Sequence, residues 1–192
     1  MRRTNEQFWD LLKPEHFRAR AYCRKLIGNR EDGDDLYQDA LVAALDSFGR
    51  MKDTDAFRPW LYRIIINRFR NRVRSPWYRR LTSLTGDAEV EDNSISPDVQ
   101  DSVRRHLRIA LSALAPFDRA LVVLHSLQGW SLEELSALTG KSRGSLKVRL
   151  SRARGRMRRA LIDHLRKAPT ELKHWNPGSE KKLCVVFKPG KD

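Results

Sequence analysis

Only two cysteines occur in 192 residues, Cys23 and Cys184, too few and too far apart to signal a disulfide framework or a cysteine-built zinc site. No apolar run approaches the roughly 20 residues that a membrane-spanning helix needs. The opening MRRTNEQFWD carries no apolar leader segment. Strict alternation of apolar and polar residues, the mark of a half-buried strand, is missing over any useful length. These absences leave a helical protein of a reducing, cytoplasmic setting as the expectation, with no membrane insertion.

Acids are scarce wherever cations are dense. The formal net charge is +14, unevenly spread. Residues 1–80 hold eighteen Lys and Arg against eleven Asp and Glu, and residues 103–168 hold fifteen against four. Between them, residues 81–102 contain six acids and no cation. Two basic blocks around an acidic connector form an electrostatic footprint for a polyanion. Solubility alone is the bland alternative. A membrane surface fits less well, because the arginines lie on helices that have core seams of their own.

Hydrophobic periodicity is helical almost throughout. A first segment runs from about Asn5 to Ile27, interrupted by Pro14. GNREDGDD breaks the pattern, with Gly28 placed to end one helix and Asp34 or Asp35 near the start of the next. Further helices are expected over Asp35–Phe48, Phe57–Val73, Val103–Leu114 and Phe117–Leu127. The expected fold is all-α: a helical domain over 1–76, an acidic linker over 77–102, a second helical domain over 103–166, and a basic irregular tail over 167–192.

The second block has the spacing of a helix-turn-helix. Ser131 with Glu134 three residues on reads as a capping box, and Leu132, Leu135 and Leu138 give a short helix its apolar face. Gly140 allows a sharp turn, and Ser142 is placed to cap the next helix. In SRGSLKVRLSRARGRMRRAL (142–161), Lys or Arg fills eight of twenty positions, yet Leu146, Leu150, Ala153, Met157 and Leu161 form one narrow seam. The seam is expected to dock on the shorter helix. On the opposite side lie Gly144, Ser145, Val148, Ser151 and Arg152, small enough to enter a major groove, with Arg152 set to reach base edges and Val148 a thymine methyl. Arg149, Arg154 and Arg156 are better placed for phosphates. A solvated, charged bundle helix is the alternative.

In the first block, Asp35, Gln38, Asp39, Val42 and Asp46 share one stripe of a helix whose other faces are apolar. An acidic stripe on a DNA-binding protein suits a protein partner with a basic surface, or is simply solvated. The helix FRPWLYRIIINRFRNRVR is apolar round most of its girth, with a polar wedge of Arg63, Asn67, Arg70 and Arg74. Tyr62 and Phe69 lie alongside as candidate stacking groups for an unpaired strand. Trp60 reads as core.

Taken together, GDDLYQDALVAAL, FRPWLYRIIINRFRNRVR, the acidic connector and LAPFDRALVVLHSLQGWSLEELSALTGKSRGSLKVRLSRAR resemble the extracytoplasmic-function sigma factors of bacterial RNA polymerase, in order, over about residues 8–165. The resemblance implies a sigma subunit without catalysis, cofactor or metal. It implies that Asp35, Gln38, Asp39 and Asp46 dock on the clamp region of the polymerase β′ subunit. Tyr62, Arg63, Asn67, Arg70 and Arg74 would recognise and melt the −10 element of promoter DNA. Arg143, Gly144, Ser145, Lys147, Val148, Arg149, Ser151 and Arg152 would read the −35 element, and the acidic linker would run through the RNA-exit path. An anti-sigma factor is a further implied partner. The sequence departs from the pattern at Ser136, where alanine is usual, at Lys141, where an apolar residue is usual, and at Arg143, often acidic or neutral. A stand-alone helix-turn-helix regulator is the competing reading. A metal-dependent nuclease using Asp32, Asp34, Asp35 and Asp39 is weaker, because no further acid or histidine stands at a readable spacing.

Overall fold

The computed structural model describes residues 5–75 and 97–167, and among these every regular element is a helix. In chain order they are α1 (Asn5–Leu12), α2 (His16–Ile27), α3 (Arg30–Phe48), α4 (Phe57–Arg74), α5 (Pro97–Ser112), α6 (Pro116–Val122) running into a π-helical turn (Val123–Leu127), α7 (Leu132–Thr139) and α8 (Arg143–Lys167). They fall into two compact units. The tail, Cys184 and the acids from Asp87 to Asp92 lie outside the described residues.

The first unit is built from α1–α4. Pro14 separates α1 from α2, as its missing N–H and fixed φ require. Gly28 ends α2 in the left-handed conformation (φ 96°), donating its N–H to the Arg24 carbonyl at 2.8 Å. The break expected across GNREDGDD is shorter than the sequence suggested. Asn29 caps α3 by accepting the Asp32 N–H at 2.8 Å, so the helix starts at Arg30 and carries Gly33 inside it. Gly33 is where α2 and α3 nearly touch: a Cβ there would lie 2.5 Å from the Arg24 Cα. Beside it Asp34 accepts two arginine forks, from Arg24 (2.7 and 2.8 Å) and Arg20 (2.9 and 2.6 Å). Those guanidiniums, Arg24 foremost, hold its carboxyl well below the usual carboxylate range.

The core of this unit joins Phe8 edge-on to Phe48 and Phe57, with centroids 5.3 and 5.7 Å away, to Tyr22, Leu26, Leu36, Leu61 and Ile65. Trp60 is half-buried against Phe57 and Phe48. Burial pushes the Cys23 thiol up, so it behaves as a small apolar side chain.

Segment Glu133–Lys141, which carries most of α7, clusters with this first unit. The sequence had placed it wholly with the second. Two α4 arginines account for the difference. Arg58 donates to the Glu134 carboxylate at 2.5 Å, and Arg63 donates to the Leu138 and Ala137 carbonyls at 3.0 and 3.3 Å. Such a fork satisfies carbonyls that a helix C-terminus otherwise leaves without partners.

In the second unit α5 begins at Pro97, six residues earlier than the expected Val103. Proline suits a first helical position, where its missing N–H costs nothing, and the end of the acidic segment is therefore helical rather than linker. Near Leu127 the chain leaves the helix through the π turn. The Gln128 N–H is shared between the Val123 and Leu124 carbonyls, Gly129 adopts φ 73°, and the Trp130 N–H returns to the Leu124 carbonyl. His125 Nδ1 donates to the Trp130 carbonyl at 2.7 Å, tying off the turn.

All five residues of the α8 seam are buried. Helix α8 as a whole packs chiefly on α5 and α6, where the expectation gave its seam to the short helix. Length explains this. From Leu146 to Leu161 the seam spans about 22 Å at 1.5 Å per residue, against about 12 Å for an eight-residue helix.

Candidate nucleic-acid and protein interfaces

On α3 the residues Asp35, Gln38, Asp39 and Asp46 are all exposed, and Val42 among them is 60% exposed. The inward side of the same helix is closed, with Leu36, Tyr37, Ala40, Ala44 and Phe48 buried. A helix so divided presents a carboxylate stripe with an apolar spot in its middle. No pattern in the sequence points to Arg72, which approaches the stripe from α4. It donates to Asp32 at 2.7 Å and stands 3.8 Å from Asp35 and 3.9 Å from Asp39. Asp32 and Asp34 are thus occupied by internal cations. Among the described residues no group of acids, histidines and cysteines is arranged to hold a metal ion.

On α4 the structure separates the expected −10 residues. Arg63, Asn67 and Arg74 are exposed and Arg70 is half-buried, so the polar wedge exists as a surface ridge, in which the Arg63 guanidinium already donates to the Leu138 and Ala137 carbonyls. Tyr62 does not belong to it. Its side chain is wholly buried, with the hydroxyl donating to Glu15 at 3.3 Å, and Phe69 is buried as well. Desolvation raises the Tyr62 phenol above its ordinary value, so it stays neutral. Helix α4 is packed on so much of its girth that a residue next to Arg63 in sequence faces inward. Among the described residues of this unit the exposed aromatics are Trp9 and Phe17, on α1 and α2.

The turn before α8 has the expected chemistry and one unexpected bond. Gly140 adopts φ 70° and donates its N–H to the Ser136 carbonyl at 2.8 Å. The Ser136 hydroxyl, where an alanine was the usual residue, donates to the Lys141 carbonyl at 2.7 Å and so braces the turn. Ser142 accepts the Ser145 N–H at 3.3 Å and opens α8.

Beyond the turn, Arg143, Gly144, Ser145, Lys147, Val148, Ser151 and Arg152 are exposed, Val148 by half. Small groups and one branched apolar side chain thus form a shallow strip flanked by cations. Arg149 is placed differently from its neighbours. Its Nε donates to the Asp118 carboxylate of α6, and its guanidinium lies 4.9 Å from the Phe117 ring centroid. Arg156 donates to the other oxygen of Asp118. Arg154, expected at phosphates, is half-buried and turned to the Ser126 hydroxyl at 3.3 Å. Sequence reasoning missed Asp118, although a sign existed: it is the only acid between Val103 and Leu132.

An exposed acidic stripe on one helix and a separate, cation-flanked strip on another fit a protein of the nucleic-acid-binding class. Comparison with known proteins narrows it. Residues 12–79 match the model of sigma-70 region 2 and residues 104–157 that of sigma-70 region 4. The RNA polymerase sigma factor CarQ of Myxococcus xanthus is 31% identical over 158 residues, covering 82% of this chain and 91% of CarQ. The extracytoplasmic-function sigma factor SigM of Mycobacterium tuberculosis is 30% identical over 154 residues, covering 80% of this chain and 76% of SigM. Among solved structures, the sigma factor RpoE of Bartonella quintana, in complex with the anti-sigma factor NepR, superposes with a TM-score of 0.58 at 26% identity, covering 82% of this chain and 98% of that one. The chain belongs to the extracytoplasmic-function sigma factors of the sigma-70 family, and it is an RNA polymerase sigma factor that directs transcription initiation.

Proposed function

We propose that three surfaces divide the work of promoter recognition. The α3 stripe of Asp35, Gln38, Asp39 and Asp46 docks on a basic surface of core RNA polymerase, in the β′ clamp region. The α4 ridge of Arg63, Asn67, Arg70 and Arg74 engages the −10 element, and the exposed strip of α8 reads the −35 element. The observation that carries this reading is the division of α8, with five seam residues buried and Gly144, Ser145, Val148, Ser151 and Arg152 exposed on the other side. A groove-reading helix needs that division, because a fixed inward face sets the depth and register of the outward one. No role in catalysis is assigned to any residue. An anti-sigma factor as partner, of the kind seen bound to the Bartonella relative, and a cytoplasmic location both fit this reading.

A sigma subunit must bind polymerase before it can select a promoter, which sets the test. Charge reversal at Asp35 and Asp39 (Asp35→Lys with Asp39→Lys) is expected to abolish co-elution with core polymerase in gel filtration. The helical circular dichroism spectrum should stay unchanged, since both positions are exposed. Unchanged complex formation by the folded double variant would remove the stripe from the assignment.

A further inference from the structure

Asp118 is a buried acid in a strongly basic unit, only 6% exposed. Its two oxygens take one arginine each, Arg149 and Arg156, both from α8 and seven residues apart. An isolated buried carboxylate is costly, so its place is set by those partners. The bond also fixes them. Arg149 is clamped between the carboxylate and the Phe117 face, while Arg156 is held about two turns further on. Together with Gly144, Ser145, Val148 and Arg152 they line one recess on the outward side of α8. Arg152, midway between them in sequence, has no ion pair among the described residues.

We propose that Asp118 is a positioning residue for DNA recognition: it partly neutralises Arg149 and Arg156 and fixes their forks at the edges of the reading strip. This rests on the assignment of α8 as the helix that reads DNA. A free arginine finds a phosphate on any sequence, adding affinity without discrimination. A guanidinium already bound to a carboxylate has less to gain from a phosphate, and it keeps its remaining N–H donors in a set direction. Asp118 therefore trades non-specific affinity for discrimination.

The test uses the full-length chain and two duplexes, one selected by the wild-type chain from a randomised pool and one scrambled. Both are titrated by fluorescence anisotropy over a range of salt, with circular dichroism melts to show that each variant is folded. Asp118→Asn should bind the scrambled duplex more tightly. The slope of log affinity against log salt should steepen by about 0.9 for each phosphate newly contacted. Preference for the selected duplex should fall by about five-fold or more. A folded Asp118→Asn with unchanged slope and unchanged preference overturns the proposal, because a purely structural pair would move only the melting temperature. If that variant does not fold, Arg149→Gln decides. It should lower preference while leaving scrambled-duplex affinity and slope nearly unchanged, and a slope shallower by about 0.9 would identify Arg149 as an ordinary phosphate contact and overturn the proposal. Should the wild-type chain itself select no sequence, the reading role of α8 fails, and the salt slopes alone still decide whether Asp118 restrains the two arginines.

Discussion

Gly33 and Tyr62 show what a single residue type does and does not disclose. A glycine amid acids looks like a helix break, and the expectation placed one there. The structure keeps the helix and uses the absent side chain for close approach, with the Arg24 backbone 2.5 Å from where a Cβ would stand. Gly33→Ala gains about 1 kcal/mol of helix propensity yet must force two helices apart, an overpacking cost of about 1–3 kcal/mol or more. The net expectation is destabilisation, read as a fall in melting temperature of roughly 4–8 °C for each kcal/mol lost. A melting temperature equal to or above wild type would show that α2 yields freely. Tyr62 was misplaced for a related reason. Its hydroxyl and its cationic neighbour fit a surface ridge equally well, and only its bond to Glu15, 47 residues away in sequence, shows it to be core. Arg72 and Asp118 were illegible on the same ground, since their partners lie 40, 31 and 38 residues away.

Elements were more legible than residues because periodicity is a local property. The α8 seam was readable to the residue, and all five members are buried. Its docking surface was not readable, since a seam names no partner. The outward side of α8 separates two kinds of arginine. Arg152 lies on the shallow strip with Ser145 and Val148, whereas Arg158 and Arg159 are exposed six and seven residues on. At 1.5 Å per residue that is roughly 9–10 Å further along the axis, where the groove wall rather than the base edges comes within reach. Arg152→Ala is therefore expected to weaken binding to the selected −35 duplex by about 1–3 kcal/mol more than binding to a scrambled one. Arg158→Ala and Arg159→Ala should weaken both duplexes alike, or neither, and flatten the salt dependence. Competition titrations at two salt concentrations distinguish them. If Arg152→Ala loses equally on both duplexes, Arg152 is a phosphate contact, and discrimination passes to Ser145, Val148, Arg149 and Ser151.

At the scale of the whole chain, the order of basic block, acidic connector and basic block was legible from charge alone. The joining of Glu133–Lys141 to the first unit was not, because it depends on Arg58 and Arg63 meeting α7 across some 75 residues of sequence. The connector's effect on DNA binding follows from its charge and its closeness in sequence to the second unit, Asp92 standing five residues and Asp87 ten residues before Pro97. The Debye length is about 30 Å at 0.01 M salt and about 8 Å at 0.15 M. At low salt the four acids Asp87, Glu89, Glu91 and Asp92 are expected to oppose the attraction of the second unit's cations for a polyanion, and near physiological salt to be largely screened. Replacing all four with their amides should tighten binding of the full-length chain to a scrambled duplex several-fold at about 0.01 M salt, with the difference gone by about 0.15 M. Equal affinities at 0.01 M would mean that the connector's charge is neutralised by something nearer than the DNA. A difference persisting at 0.15 M would place these acids within about 8 Å of the DNA-binding cations, as a competitor for them rather than a distant counter-field.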